Sequence, residues 1–102
     1  MSWEIRMDPG RKQMWLEGEL TIFSALDIRD RLQEALAELD ELSIDLSRVD
    51  EIDTAGVQLM LLAKRKEGKT VRFTNHSDEV LRLLDLANLG QSLGDPLLIK
   101  AQ

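Results

Sequence analysis

Cysteine is absent from the 102-residue sequence, which excludes disulfides, thiolate metal sites and cysteine nucleophiles. Histidine occurs once, as His76, so no histidine pair or histidine-rich metal cluster can be built. Positive charge is scarce: 13 lysines and arginines stand against 19 aspartates and glutamates, for a formal charge of −6. That balance argues against nucleic-acid binding, which recruits phosphates to a basic face. No apolar run approaches the ~20 residues needed to cross a bilayer, so direct membrane insertion is not expected. The opening Met1-Ser2-Trp3-Glu4 lacks the basic-then-apolar layout of a signal peptide. What the chain does have is a 43% apolar share, enough for a genuine core. The expectation is a soluble cytoplasmic protein folded as one domain over residues 1–102.

Trp3, Ile5 and Met7 alternate with Glu4 and Arg6, the period of a half-buried strand. Asp8-Pro9-Gly10 reads as a tight turn, followed by a second strand from Gln13 to Leu20. Ser24 is placed to cap a helix, with Asp27 in support and Ile28, Leu32, Ala35, Leu36 and Leu39 on one stripe. Alternation returns over Leu42–Leu46, and a short connection from Ser47 to Asp53 leads into the apolar segment Thr54–Lys66. That segment predicts a largely buried helix, with Lys64, Arg65 and Lys66 at its C-terminal end and Gly68 as the stop. Val71 and Phe73 mark a fourth strand, and Ser77 caps a last helix. That helix carries Val80, Leu83, Leu84 and Ala87 on its core side and ends at Gly90. Residues 96–99 read as a short final strand or an extended tail. The fold class is therefore α/β: a mixed sheet of four to five strands with helices packed on it. An antiparallel hairpin comes first, then parallel βαβ crossovers of right hand.

The most informative stretch runs from Ile44 to Val57. Asp53 stands where a helix cap belongs, and Thr54 falls in the first exposed turn, beside unpaired amides and the positive end of the dipole. Gly56 early in a helix costs up to ~1 kcal/mol relative to alanine. Two readings stay open: room for another surface to approach, or a packing accommodation within the fold. Val57 and Met60 follow as candidates for a nearby apolar contact or for the core.

Leu16-Glu17-Gly18-Glu19-Leu20, Ile44-Asp45-Leu46-Ser47 followed by Asp53-Thr54-Ala55-Gly56, and Leu81 through Gly90 resemble the STAS domain, the module of bacterial anti-sigma factor antagonists. The resemblance covers nearly the whole chain. It implies that Thr54 occupies the position phosphorylated by a partner serine/threonine kinase, itself an anti-sigma factor. The partner-binding residues expected on this reading are Asp53, Thr54, Ala55 and Gly56, with Val57 and Met60 as the candidates for an apolar contact. The match departs at two positions: sporulation and stress-response members carry serine, then serine or threonine, where this chain has Thr54 and Ala55. Asp-Thr-Ala-Gly also resembles the STAS subunit of the phospholipid-transport ABC complex, whose threonine helps dock an ATPase. Glu19–Ala25 and Gly94-Asp95-Pro96 resemble small STAS proteins of chemotaxis systems.

Catalysis is not expected. Asp45, Asp50, Glu51 and Asp53 form an acidic cluster that would suit Mg²⁺, but no nucleophile–base pair, P-loop or dinucleotide fingerprint accompanies it. The acids read as a solvated rim, with no metal and no cofactor. His76 reads as an exposed loop residue, and Trp3 and Trp15 as sheet packing. Lys64, Arg65, Lys66, Lys69 and Arg72 form a basic patch that reads as a solvated helix end.

Overall fold

The alternation at the N-terminus becomes strand β1, Trp3–Asp8, in the computed structural model, which describes residues 2–86. Asp8 then accepts a hydrogen bond from the Arg11 amide (3.3 Å) across a single 3₁₀ turn, Pro9–Arg11. Lys12 closes that turn in the left-handed region, φ 54°. Strand β2, Gln13–Leu20, returns antiparallel with Trp3 opposite Gly18 and Asp8 opposite Gln13. Gly18 has φ +94°, and a Cβ there would overlap the Ser2 carbonyl oxygen, so only glycine fits this crossing.

Helix α1, Ala25–Glu38, buries Ile28, Leu32 and Leu36, with Ala35 and Leu39 partly covered, as its stripe predicts. Its start differs from the expectation. Ser24 makes no capping bond to the helix amides; its hydroxyl turns back, accepting from the Thr21 amide (3.0 Å) and donating to the Glu19 carbonyl (3.0 Å). The preceding loop claims the side chain.

Strand β3 is the largest correction. It runs Glu41–Ile52, so the expected connection from Ser47 onward is strand. Pairing with β2 slips twice: Trp15 and Glu17 face Asp45 and Arg48, and Gly18 and Glu19 face Val49 and Glu51. Each slip is a bulge that inserts one residue into β3 and breaks the two-residue period. Buried positions then fall at Leu42, Ile44 and Leu46 but next at Val49.

Helix α2, Thr54–Lys64, buries Gly56, Val57, Leu59, Met60 and Ala63. It ends four residues before Gly68, which sits at φ +77° in the turn to strand β4, Thr70–Thr74. Lys64 is drawn inward to donate to the Val71 carbonyl (2.7 Å). Helix α3, Asp78–Leu86, is capped as expected, the Ser77 hydroxyl accepting from the Val80 amide (3.3 Å). Expectations for Ala87, Gly90 and residues 96–99 lie outside the described residues.

Among the described residues the sheet has four strands in the order β1-β2-β3-β4, antiparallel in the first pair and parallel thereafter. Helix α2 packs against α1, β3 and β4, and α3 packs against β3. Met14, Leu16, Leu20, Ile44 and Phe73 of the sheet meet Ile28, Leu32, Leu59 and Met60 of α1 and α2 around one small apolar cavity. His76 is half-buried, not exposed, because it precedes a helix docked on the sheet. Arg6 lies over the Trp15 ring, 5.8 Å from its centroid, which places that indole in sheet-surface packing. No described helix is long and apolar enough to cross a membrane.

Candidate functional site

The site assembles where β2 and β3 end side by side. Their parallel pairing brings Leu20 opposite Ile52, so the loop after β2 and the start of α2 emerge together. Asp53 joins them. One carboxylate oxygen accepts from the amides of Ala55 (2.9 Å) and Gly56 (3.2 Å) and caps α2. The other accepts from the Ile22 amide (3.0 Å), 31 residues away in sequence. Its own amide donates to the Leu20 carbonyl (3.4 Å). An aspartate is needed here because the two tasks require two acceptor oxygens.

Thr54 is the first residue of α2 and is exposed, and its side chain makes no hydrogen bond with another described residue. Gly56 resolves the alternatives left open by its spacing. A Cβ there would overlap the Leu20 carbonyl oxygen and come within 2.9 Å of Leu20 Cγ and 3.0 Å of Ile52 Cγ1. The space belongs to the domain itself: glycine lets the first turn of α2 press onto the strand ends.

The loop between β2 and α1 is held from inside. Thr21 and Ser24 are buried, and besides the Ser24 bonds the Thr21 hydroxyl accepts from the Phe23 amide (3.2 Å). The Ser24 and Ala25 amides both donate to the Thr21 carbonyl (3.0 and 2.7 Å). With its polar groups satisfied inward, the loop turns Ile22 and Phe23 outward, 67% and 73% exposed.

Asp45 ties a second loop. It accepts from the Ser47 amide (2.8 Å), the Ser47 hydroxyl (2.6 Å) and the Asn75 side-chain amide (2.7 Å). Partial burial pushes its carboxyl upward, but the bonds from Ser47 and Asn75, with the charge of Arg48, outweigh burial and hold it below its ordinary value. Asn75 sits at φ 51°, a left-handed turn residue pinned by this bond. The acidic residues thus have separate tasks. Asp45 and Asp53 bind loops, Asp50 and Glu51 stand exposed, and no group of three or more potential ligands among the described residues is placed to hold a metal.

A family model described as "Mlab, STAS domain" matches residues 3–99. The chain belongs to the STAS domain family. Solved structures share the architecture. An anti-sigma factor antagonist from Mycobacterium paratuberculosis superposes with a TM-score of 0.77 at 17% identity, over 95% of this chain and 88% of that one. The anti-sigma factor antagonist SpoIIAA in its unphosphorylated form gives 0.61 at 18% identity, over 99% and 90%. At these identities the likeness is one of fold. No curated protein matches the sequence.

Within this STAS domain Asp53, Thr54, Ala55 and Gly56 stand together at one end of the sheet, as their spacing implies. Val57 and Met60 do not reach that surface: they are 2% and 1% exposed, directed into the core by helical periodicity. Exposed apolar side chains stand instead at Ile22 and Phe23, on the loop tied to Asp53, and at Leu26 in the first turn of α1. Two large apolar residues enclosed by Thr21 and Ser24 in a loop are the signal that marks them. Glu19 is also unexpected, a carboxylate in β2 only 4% exposed. Of the basic patch, Lys69 pairs with Asp40 (3.1 Å) and Lys64 with a carbonyl, whereas Arg65, Lys66 and Arg72 are exposed.

Proposed function

We propose that this STAS domain is a non-enzymatic regulator of the anti-sigma factor antagonist type. It binds a serine/threonine kinase-type anti-sigma factor through the Asp53–Gly56 turn and is switched by phosphorylation of Thr54. The observation that carries this reading is the exposed Thr54 hydroxyl, unengaged beside a cap whose acceptor oxygens are already committed. In the transfer, the Thr54 oxygen takes the γ-phosphoryl group of ATP, ADP leaves, and the hydroxyl proton passes to a base of the kinase. The product adds about −1.5 to −2 charges at neutral pH. The helix dipole accommodates charge at this end, so the domain stays folded. The added bulk and repulsion act on the docking partner instead.

The test incubates the chain with the kinase-type anti-sigma factor and ATP. One phosphoryl group is expected, absent in Thr54→Ala, and Thr54→Glu weakens complex formation. The Thr54-Ala55 doublet and the Mlab description of the matched model favour a second reading, constitutive docking of the same face on the ATPase of a phospholipid-transport complex. That reading expects tight co-purification with the ATPase and no phosphate on Thr54.

A further inference from the structure

We propose that Ile22, Phe23 and Leu26 form an apolar anchor that inserts into an apolar pocket, rimmed by lysine or arginine, on the protein docked beside Thr54. The inference rests on the reading of the Asp53–Gly56 turn as a docking face, and it adds what the partner must look like. Large apolar side chains exposed singly are ordinary. Here three stand within five residues, at 67%, 73% and 64% exposure. The Asp53–Ile22 bond ties the loop that carries the first two to the α2 cap beside Thr54, and Leu26 follows in the first turn of α1.

Two further observations say what covers the anchor. Its loop is tied down from inside: Thr21 and Ser24 are buried and hold it through the bonds of their hydroxyls. An element ordered before binding loses less entropy on docking. The charge around it is also predominantly negative. Asp27 lies one turn beyond Phe23, while Asp50 and Glu51 lie on β3 where Glu51 faces Glu19. All three are exposed and make no ion pair among the described residues. Of the neighbouring cations, Arg29 pairs with Asp30 (3.2 Å) and Arg48 with Glu17 (3.7 Å), which leaves exposed Arg31, one turn beyond Asp27, against the three acids. An apolar centre with an unbalanced acidic rim is complementary to an apolar pocket with a basic rim. A phosphate on Thr54 then adds charge at the edge of the same patch.

The probe is the purified kinase-type anti-sigma factor, titrated with wild type, Phe23→Ala, Phe23→Leu, Thr54→Glu and the double reversal Asp50→Lys/Glu51→Lys. Phe23→Ala is expected to weaken binding by about 30-fold or more, the scale of a central aromatic contact. Its thermal midpoint stays at the wild-type value, since only an exposed ring is removed. Phe23→Leu restores most of the affinity. The double reversal slows association about tenfold at low salt, and the difference closes at high salt. If Phe23→Ala binds like wild type while Thr54→Glu does not, the docking face stands and the anchor is refuted. If wild type does not bind, or neither variant matters, the functional reading falls and the anchor with it. If Phe23→Ala abolishes only self-association in sedimentation, a second copy covers the patch and the proposal is overturned.

Discussion

Replacing Gly56 with alanine should force α2 away from the strand ends, and the structure sets the scale of the damage. The added Cβ would stand 2.9 Å from Leu20 Cγ and 3.0 Å from Ile52 Cγ1, and would overlap the Leu20 carbonyl oxygen outright. Carbon atoms at ease sit about 3.5–4.0 Å apart, so the helix start must lift by roughly 1 Å. A side chain tip can rotate away, but the Leu20 carbonyl is held by the sheet and by the Asp53 amide. Overpacking of this kind costs about 1–3 kcal/mol. Alanine's helix propensity returns up to ~1 kcal/mol. A backbone clash belongs at the upper end of the overpacking range, which leaves a net loss of about 2 kcal/mol. For a domain of this size that lowers the melting midpoint by roughly 8–16 °C. Urea unfolding followed by circular dichroism reads the loss directly, with an unchanged slope showing that compactness is preserved. Gly10→Ala is the control: the nearest atom to its Cβ is 3.6 Å away, and its stability should be unchanged or slightly raised. A Gly56→Ala protein as stable as wild type would refute the claim that α2 presses on Leu20.

The two loop clamps make separate predictions. Asp53→Ala removes the cap of α2 and the acceptor of the Ile22 amide together, for about 1–2 kcal/mol, and hydrogen exchange should quicken at Ile22, Ala55 and Gly56. Protection unchanged at Ile22 would show that the 31-residue link does not hold the loop. Asp45→Asn tests pH dependence. Its carboxyl is held below its unfolded value, so its contribution is complete above that value and is lost as pH falls through the folded one. The wild-type advantage over Asp45→Asn in urea midpoint should therefore be full near neutral pH. It should shrink from about pH 5 downward; an advantage constant to pH 2.5 would refute it.

Local chemistry made much of this molecule legible. The alternation of Trp3, Ile5 and Met7, the stripe Ile28-Leu32-Leu36 and the Ser77 cap each depend on neighbours in sequence, and each stands where its pattern places it. The STAS family too is legible, since its Asp53–Gly56 signature opens a helix that its apolar residues mark. Reading failed where a distant partner took over. Ser24 has the chemistry of a cap, but the Glu19 carbonyl and Thr21 amide claim its hydroxyl. The second half of β3 reads locally as a loop because two bulges shift its inward residues out of phase.

The order of elements, the cap at Asp53 and the exposed place of Thr54 follow from local patterns, because helix starts and strand periods are set by residues a few positions apart. Three-dimensional packing is what assigns Gly56 to the seat of α2 on β2 and β3, and Val57 and Met60 to the core. It alone ties the Ile22 loop to the cap beside Thr54, through a hydrogen bond between residues 31 positions apart. Parallel pairing of β2 with β3 creates that meeting, and no local pattern encodes which strand ends will lie side by side.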